Sequence, residues 1–272
     1  MVSYIYNAIF GASAPEEDER EKQVDENKWN DATNEEKAGF SGEEYHNQIP
    51  QFALDKPEIK VDREKVKQEL KDLADEYLKQ WDELSVVIDK PDENYFARQV
   101  WVGDGPLTII KYRAEGLTAE HLQAYMDDPI RVQIKMNNRA SACRLPDSDG
   151  CLMYKLHMRM PAILYNRSIF LTYYFEKGDD GSFYILGSSR GNDEYADVYA
   201  DEVGNDVIAN AILITLRAVP CEGGYDLTQI ISMDPSGWIP WFLKRKMGHR
   251  SAEMIGMTVN FLKTGEVPPP LF

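Results

Sequence analysis

The sequence predicts an α+β fold in which a β-rich middle section hands over to a lid-like C-terminal helix, a container that encloses something apolar. Three observations carry this. A helical repeat of apolar residues comes first. A middle section, residues 141–233, is a succession of apolar runs cut by Gly, Asp and Pro clusters. The C-terminal part then passes from a strand through Pro235-Ser-Gly-Trp-Ile-Pro240 into an amphipathic helix. With 272 residues and 43% hydrophobic composition, the chain has enough apolar material for a sizeable core.

Residues 1–60 stand apart. They hold 14 Asp/Glu against 6 Lys/Arg, half of the net charge of −16, and few apolar residues between Ala12 and Ile49. Such a composition buries too little surface to offset its ordering entropy. It reads as an acidic, largely disordered arm. At its tip Val2, Ile5, Tyr6, Ile9 and Phe10 fall on one helix face, either a shallow bilayer contact or a tip that folds back on the domain. The folded domain is expected over residues 61–265, with 266–272 as a tail.

Within the domain, Val66, Leu70, Leu73, Tyr77, Trp81 and Leu84 recur every three or four residues, which predicts a helix over 61–84 with Asp62 as N-cap. After Pro91 the period shortens. Residues 95–102 and 107–114 read as strands joined by a turn at Gly103-Asp-Gly-Pro106. Thr118 caps a short helix over 117–126, which Asp128-Pro129 breaks or restarts. Strands follow over 151–160, 169–176, 183–189, 207–218 and 225–233, divided by Lys177-Gly-Asp-Asp-Gly181 and Pro220-Cys-Glu-Gly-Gly224. Leu171-Thr-Tyr-Tyr-Phe175 and Ile212-Leu-Ile-Thr-Leu216 are apolar on both faces, as in a sheet covered by a helix and filled with something apolar, or in any packed α+β sheet. The last helix is predicted over 240–263, with Pro240 in its first turn and Gly265 beyond its end. Its buried stripe is expected at Leu243, Met247, Met254, Thr258 and Phe261, with Ile255 and Leu262. Its methionines, with Gly248 and Gly256, are expected to make that face soft.

Charge and spacing exclude several functions. An acidic chain without a basic stripe does not suit sequence-independent nucleic-acid binding. Cys143, Cys151 and Cys221 form no Cys-x-x-Cys pair, and no apolar run approaches the roughly eighteen residues of a spanning helix. The expectation is a cytoplasmic protein, peripheral at membranes. His46, His121, His157 and His249 are scattered without metal-ligand spacing, and no Gly-x-Ser-x-Gly occurs, so no catalytic residue, metal or cofactor is expected. His157 alternates with Leu156 and Met158 and is expected on the opposite face, as a structural histidine.

Two motifs give these elements a resemblance. Met160-Pro-Ala-Ile-Leu-Tyr-Asn-Arg-Ser-Ile169 resembles the Pro-x-Pro-x-x-Asn-Arg-Asp lead-in to a strand of the START lipid-transfer domains. It keeps Pro161, Asn166 and Arg167 but carries Ser168 in place of the acid. Ser232-Met-Asp-Pro-Ser-Gly-Trp-Ile-Pro240 resembles the Asp-x-x-Gly-x-(Ile/Leu)-Pro turn before that family's last helix. A third segment is kept only in part, as Asp127 to Arg131, with Ile134-Lys135 where Trp-Asp is usual. The resemblance covers residues 62–265 and implies the helix-grip (START and Bet v 1-like) fold.

It also implies a lipid, phospholipid or other, held in a tunnel between sheet and last helix and carried between membranes with transient contact at their surfaces. The positions that form an aromatic cage in phosphatidylcholine-binding members hold Leu156 and Ile169. Those of the acid and arginine in sterol-binding members hold Tyr154 and Tyr173. Together with Met158 these are the expected cavity residues, the two tyrosines offering hydroxyls to a glycerol, hydroxyl or carbonyl group. Arg131 either pairs with a phosphate or makes a surface salt bridge. Gly237, Trp238, Ile239, Leu243, Met247 and Met254 form the expected gate, with Trp238 and Ile239 near the mouth and Gly237 as hinge. The alternative is a lipid-sensing or tethering module whose arm, residues 1–60, engages a protein partner. A helix-grip enzyme is the least favoured reading.

Overall fold

The computed structural model describes residues 60–136, 140–145, 151–161 and 163–269, with backbone only at Arg131 and Glu202. The acidic arm with its apolar tip, His46 and residues 270–272 lie outside the described residues. The elements are α1 (Arg63–Lys79), β1 (Ser85–Lys90), β2 (Tyr95–Val102), β3 (Gly105–Glu115), α2 (Ala119–Asp127), α3 (Pro129–Met136), β4 (Ala140–Arg144) and β5 (Leu152–Met158). They continue as β6 (Arg167–Lys177), β7 (Phe183–Ser188), α4 (Asp193–Val198), α5 (Ala200–Val203), β8 (Val207–Ile208), β9 (Asn210–Cys221), β10 (Gly224–Asp234) and α6 (Trp241–Thr264).

The strands form one sheet in the order β1-β2-β3-β10-β9-β7-β6-β5-β4, antiparallel throughout, with β8 added in parallel to the start of β6. Each face carries its own core. On the outer face α1, α4 and α5 cover Leu107, Ile109, Phe170, Tyr174, Leu186, Leu213 and Ile230. On the inner face α2, α3 and α6 cover Ile110, Leu156, Ile169, Leu171, Leu216, Leu227 and Ile231. A central strand between two covered faces has no solvent side, so β6 is buried over its first eight residues.

Local signals set the helix ends. Asp62 accepts a hydrogen bond from Lys65 N at 3.0 Å at the start of α1, and Thr118 with His121 closes a capping box on α2. Pro240 is the N-cap of α6, and Gly265 ends it in the left-handed conformation at φ 73°.

The structure differs from the sequence expectation in several places, beginning with β4, which was not among the expected strands, and α1, which ends at Lys79 where a helix to 84 was expected and is followed by a single 3-10 turn at Trp81–Glu83. The strand over 207–218 is two strands, because β6 begins at Arg167 but meets β7 only from Thr172 onward; β8 takes the vacant edge through Arg167↔Val207 and Ser168↔Ile208. β1 is an edge strand, mostly exposed, so it carries little apolar alternation. α4 and α5 span six and four residues, too short for a helical period to register. The buried side of α6 is Phe242, Leu243, Gly248, Ala252, Ile255, Thr258 and Val259, while Met247, Met254, Phe261 and Leu262 are half-buried at its margins. The small residues explain the shift. A Cβ on Gly248 would stand 2.9 Å from Gln99 Oε1 and 3.2 Å from the Trp101 ring, so Gly248 marks close approach to β2, not softness.

Candidate functional site

Strand alternation builds the inner wall. On β5, residues 154, 156 and 158 share a face, and on β6 residues 169, 171 and 173 share the same one. Register then pairs Leu156 with Ile169, Tyr154 with Leu171 and Leu152 with Tyr173. Tyr154, Leu156, Ile169 and Tyr173 are all buried in the inner core, and Met158 packs half-buried against it. The tyrosine rings meet edge to face, centroids 6.4 Å apart. Gly187, the register partner of Tyr173, makes room for that ring: a Cβ there would lie 2.7 Å from Tyr173 Cε1.

Each of these hydroxyls has a protein partner. Tyr154 Oη donates to Asp128 Oδ1 at 3.3 Å, and Gln133 Nε2 donates to Tyr173 Oη at 3.2 Å. Burial pushes the Tyr173 phenol well above its ordinary pKa, and it pushes Tyr125 up too, with Gln133 drawing both partly back. The result is a small polar cluster among apolar side chains. Tyr125, Asp128 and Gln133 were not singled out from the sequence, because they sit on two short helices whose docking is a tertiary fact. The backbone of Arg131 lies on α3 between Asp128 and Gln133.

The two motifs that carried the resemblance meet in space through Arg167. Its side chain is 2% exposed. Nε donates to the Pro235 carbonyl at 3.1 Å, Nη2 to the Ser236 carbonyl at 3.0 Å, and Nη1 to the Tyr165 carbonyl. Burial lowers its pKa. The guanidinium thus ties the lead-in to β6 to the turn that launches α6, where Ser236 and Gly237 take positive φ of 53° and 67°. The acid missing at position 168 is supplied from elsewhere. Ser168 Oγ donates to Asp206 Oδ2 at 2.6 Å, and His157 Nδ1 lies 2.7 Å from the same oxygen. His157 therefore faces away from the inner wall, in a structural pair, and Asp206 pins β8 to β5 and β6.

The turn separates the expected gate residues. Ile239 and Leu243 are fully buried with Phe242, against Met160, Leu164 and Met247, whereas Trp238 is 55% exposed. Trp241, Tyr165 and Ile163 are exposed as well, at 42, 70 and 49%. Arg245 follows Trp241 by one helical turn and is exposed, as is Lys246, while Lys244 pairs with Asp104 at 2.9 Å. An exposed aromatic patch with cations beside it therefore borders the turn held by Arg167.

A hollow of about 770 Å³ lies elsewhere, on the outer face, lined by Asp75, Lys111, Glu176, Tyr184, Arg217 and Thr228 among others. Its charged lining suits water better than an acyl chain.

A large curved antiparallel sheet gripping a long C-terminal helix is the helix-grip fold of the START lipid-transfer domains. The structure is similar to human STARD10, with TM-score 0.54 and 12% identity over 77% of this chain and 82% of that one. It is also similar to human StAR-related lipid transfer protein 5, with TM-score 0.53 and 11% identity over 75% of this chain and 98% of that one. Neither a protein-family model nor a curated protein sequence matches the chain.

Proposed function

We propose that residues 61–265 form a lipid-binding domain that takes an apolar lipid between the sheet and α6 and carries it between membranes. The observation that carries this reading is the inner wall: Tyr154, Leu156, Ile169 and Tyr173 converge on one buried surface beneath α2, α3 and α6, in the fold of proteins named for lipid transfer. An acyl chain of some sixteen methylenes is worth roughly 13 kcal/mol to a dry site, comparable to its burial in a bilayer. Transfer on that balance needs a closed interior and a gate. In this reading α6 is the gate, hinged at Ser236 and Gly237 and latched by Arg167, and it opens against a membrane.

Membrane contact is supported by the patch of Ile163, Tyr165, Trp238 and Trp241 beside that hinge. Residues 235–252 hold four Lys/Arg and no Asp/Glu, in a chain of net charge −16. Aromatic rings at the headgroup level with cations beside them are the usual make-up of a reversible interfacial contact. The test is mass spectrometry of an organic extract from the purified chain. A single co-purifying lipid class at near-stoichiometric amount is the expected result, and an extract free of lipid refutes the carrier.

A further inference from the structure

Among the described residues three buried side-chain atoms lack a hydrogen-bond partner: Arg63 Nε, Tyr174 Oη and Gln229 Oε1. The first two belong to the outer face, where Arg63 donates to Thr172, Asn192, Met153 and Tyr195 and Tyr174 packs beneath α1. Gln229 belongs to the inner face. It is 4% exposed, in the middle of β10, paired with Ile110 on β3 and Leu216 on β9, and flanked on its own strand by Leu227 and Ile231. All four neighbours are buried apolar residues of the inner core.

A lone carboxamide in a hydrocarbon wall breaks the rule that buried acceptors are satisfied. A bridging water is poorly served here, because a buried water needs two to four polar partners and the side chains directly beside Gln229, Ile110, Leu216, Leu227 and Ile231, offer none, the nearest polar side chains of the face, Thr108 and Tyr112, standing at the diagonals of the register. A ligand that brings its own donor would. We infer that Gln229 Oε1 accepts a hydrogen bond from the bound molecule, and that the ligand is an uncharged lipid with a hydroxyl or amide N–H among its apolar atoms. This rests on the lipid-binding reading and adds the chemical class. A site built around one acceptor rejects an analogue that lacks the donor, since the oxygen then stays buried and unpaired.

The experiment uses the full chain and two probes, 1,2-dioleoylglycerol and its 3-acetyl ester, each at trace level in phosphatidylcholine vesicles. The probes differ in one free hydroxyl, and extraction into the soluble fraction is measured. The wild type is expected to extract the free-hydroxyl probe about tenfold better, the worth of one hydrogen bond. Gln229→Leu should extract both equally without a lower unfolding temperature, because an orphan acceptor has been replaced by hydrocarbon; Gln229→Met serves should the leucine variant not fold. Equal extraction of the two probes by the wild type overturns the inference, as does a folded variant that keeps the preference. A co-purifying lipid without a free hydroxyl or N–H overturns it while leaving lipid binding intact. An extract free of lipid, with neither probe taken up, overturns both.

Discussion

Arg167 shows how much rests on single residues. A buried guanidinium is costly unless its donors are used, and here each of its nitrogens donates to a backbone carbonyl of a segment without regular structure. Those carbonyls belong to Tyr165, Pro235 and Ser236, so one side chain replaces the ladder that the two turns lack. Arg167→Ala is expected to lower unfolding free energy by about 3 kcal/mol, read from urea denaturation, with Trp238 fluorescence moving toward that of a more mobile indole. Arg167→Lys should recover only part, because an ammonium cannot span three carbonyls in the plane of a guanidinium. At this scale the residues of the inner wall were named only through the resemblance, by counting from Asn166-Arg167, since the strands alternate imperfectly; it is the strand pairing that puts Tyr154, Leu156, Ile169 and Tyr173 on one face. Asp206 was not legible. It reaches Ser168 across 38 residues, and no local pattern marks a carboxylate that works at such separation.

Among the elements, α6 is where sequence and structure part most. Its helical period and both ends were legible, from Pro240 and Gly265. Its facing was legible in part: Leu243, Ile255 and Thr258 are buried as expected and Met254, Phe261 and Leu262 pack at the margin of the same core, while the burial of Gly248 and Ala252 escaped notice because hydrophobicity favours methionine over small residues for burial. Gly248, next to Gln99 and Trp101, is a point of close approach, and Gln99 Nε2 donates to its carbonyl at 2.9 Å. Gly248→Leu is expected to lever the first half of α6 off the sheet and cost about 2 kcal/mol in thermal unfolding. If α6 is the gate, it should also raise the rate of lipid release from the loaded protein several-fold. Gly248→Ala is the control. Its Cβ presses on the far end of the flexible Gln99 side chain, and the gain of about 1 kcal/mol in helix propensity offsets the crowding. The short α4 and α5 and the edge strand β1 were illegible for a simpler reason, since each is too short or too exposed to show a period.

At the scale of the whole molecule the charge is divided, and the division makes a prediction about the membrane contact proposed above. The chain carries a net charge of −16, so an anionic bilayer repels it as a whole, and only a local cationic surface can approach. The 235–252 segment is such a surface, with Trp238 and Trp241 exposed and Arg245 and Lys246 outside the core. At about 1 kcal/mol for each basic residue near an anionic leaflet, replacing both Arg245 and Lys246 by Gln should weaken binding to phosphatidylserine-containing vesicles by roughly thirtyfold. Binding to pure phosphatidylcholine vesicles should hardly change. Trp238→Ala should weaken binding to both vesicle types alike and without salt dependence, because it removes apolar area and no charge. Vesicle co-sedimentation at low and high salt separates the two terms. Equal loss on both vesicle types for the Arg245/Lys246 variant, or none on either, would mean that the patch beside the hinge is not the docking surface.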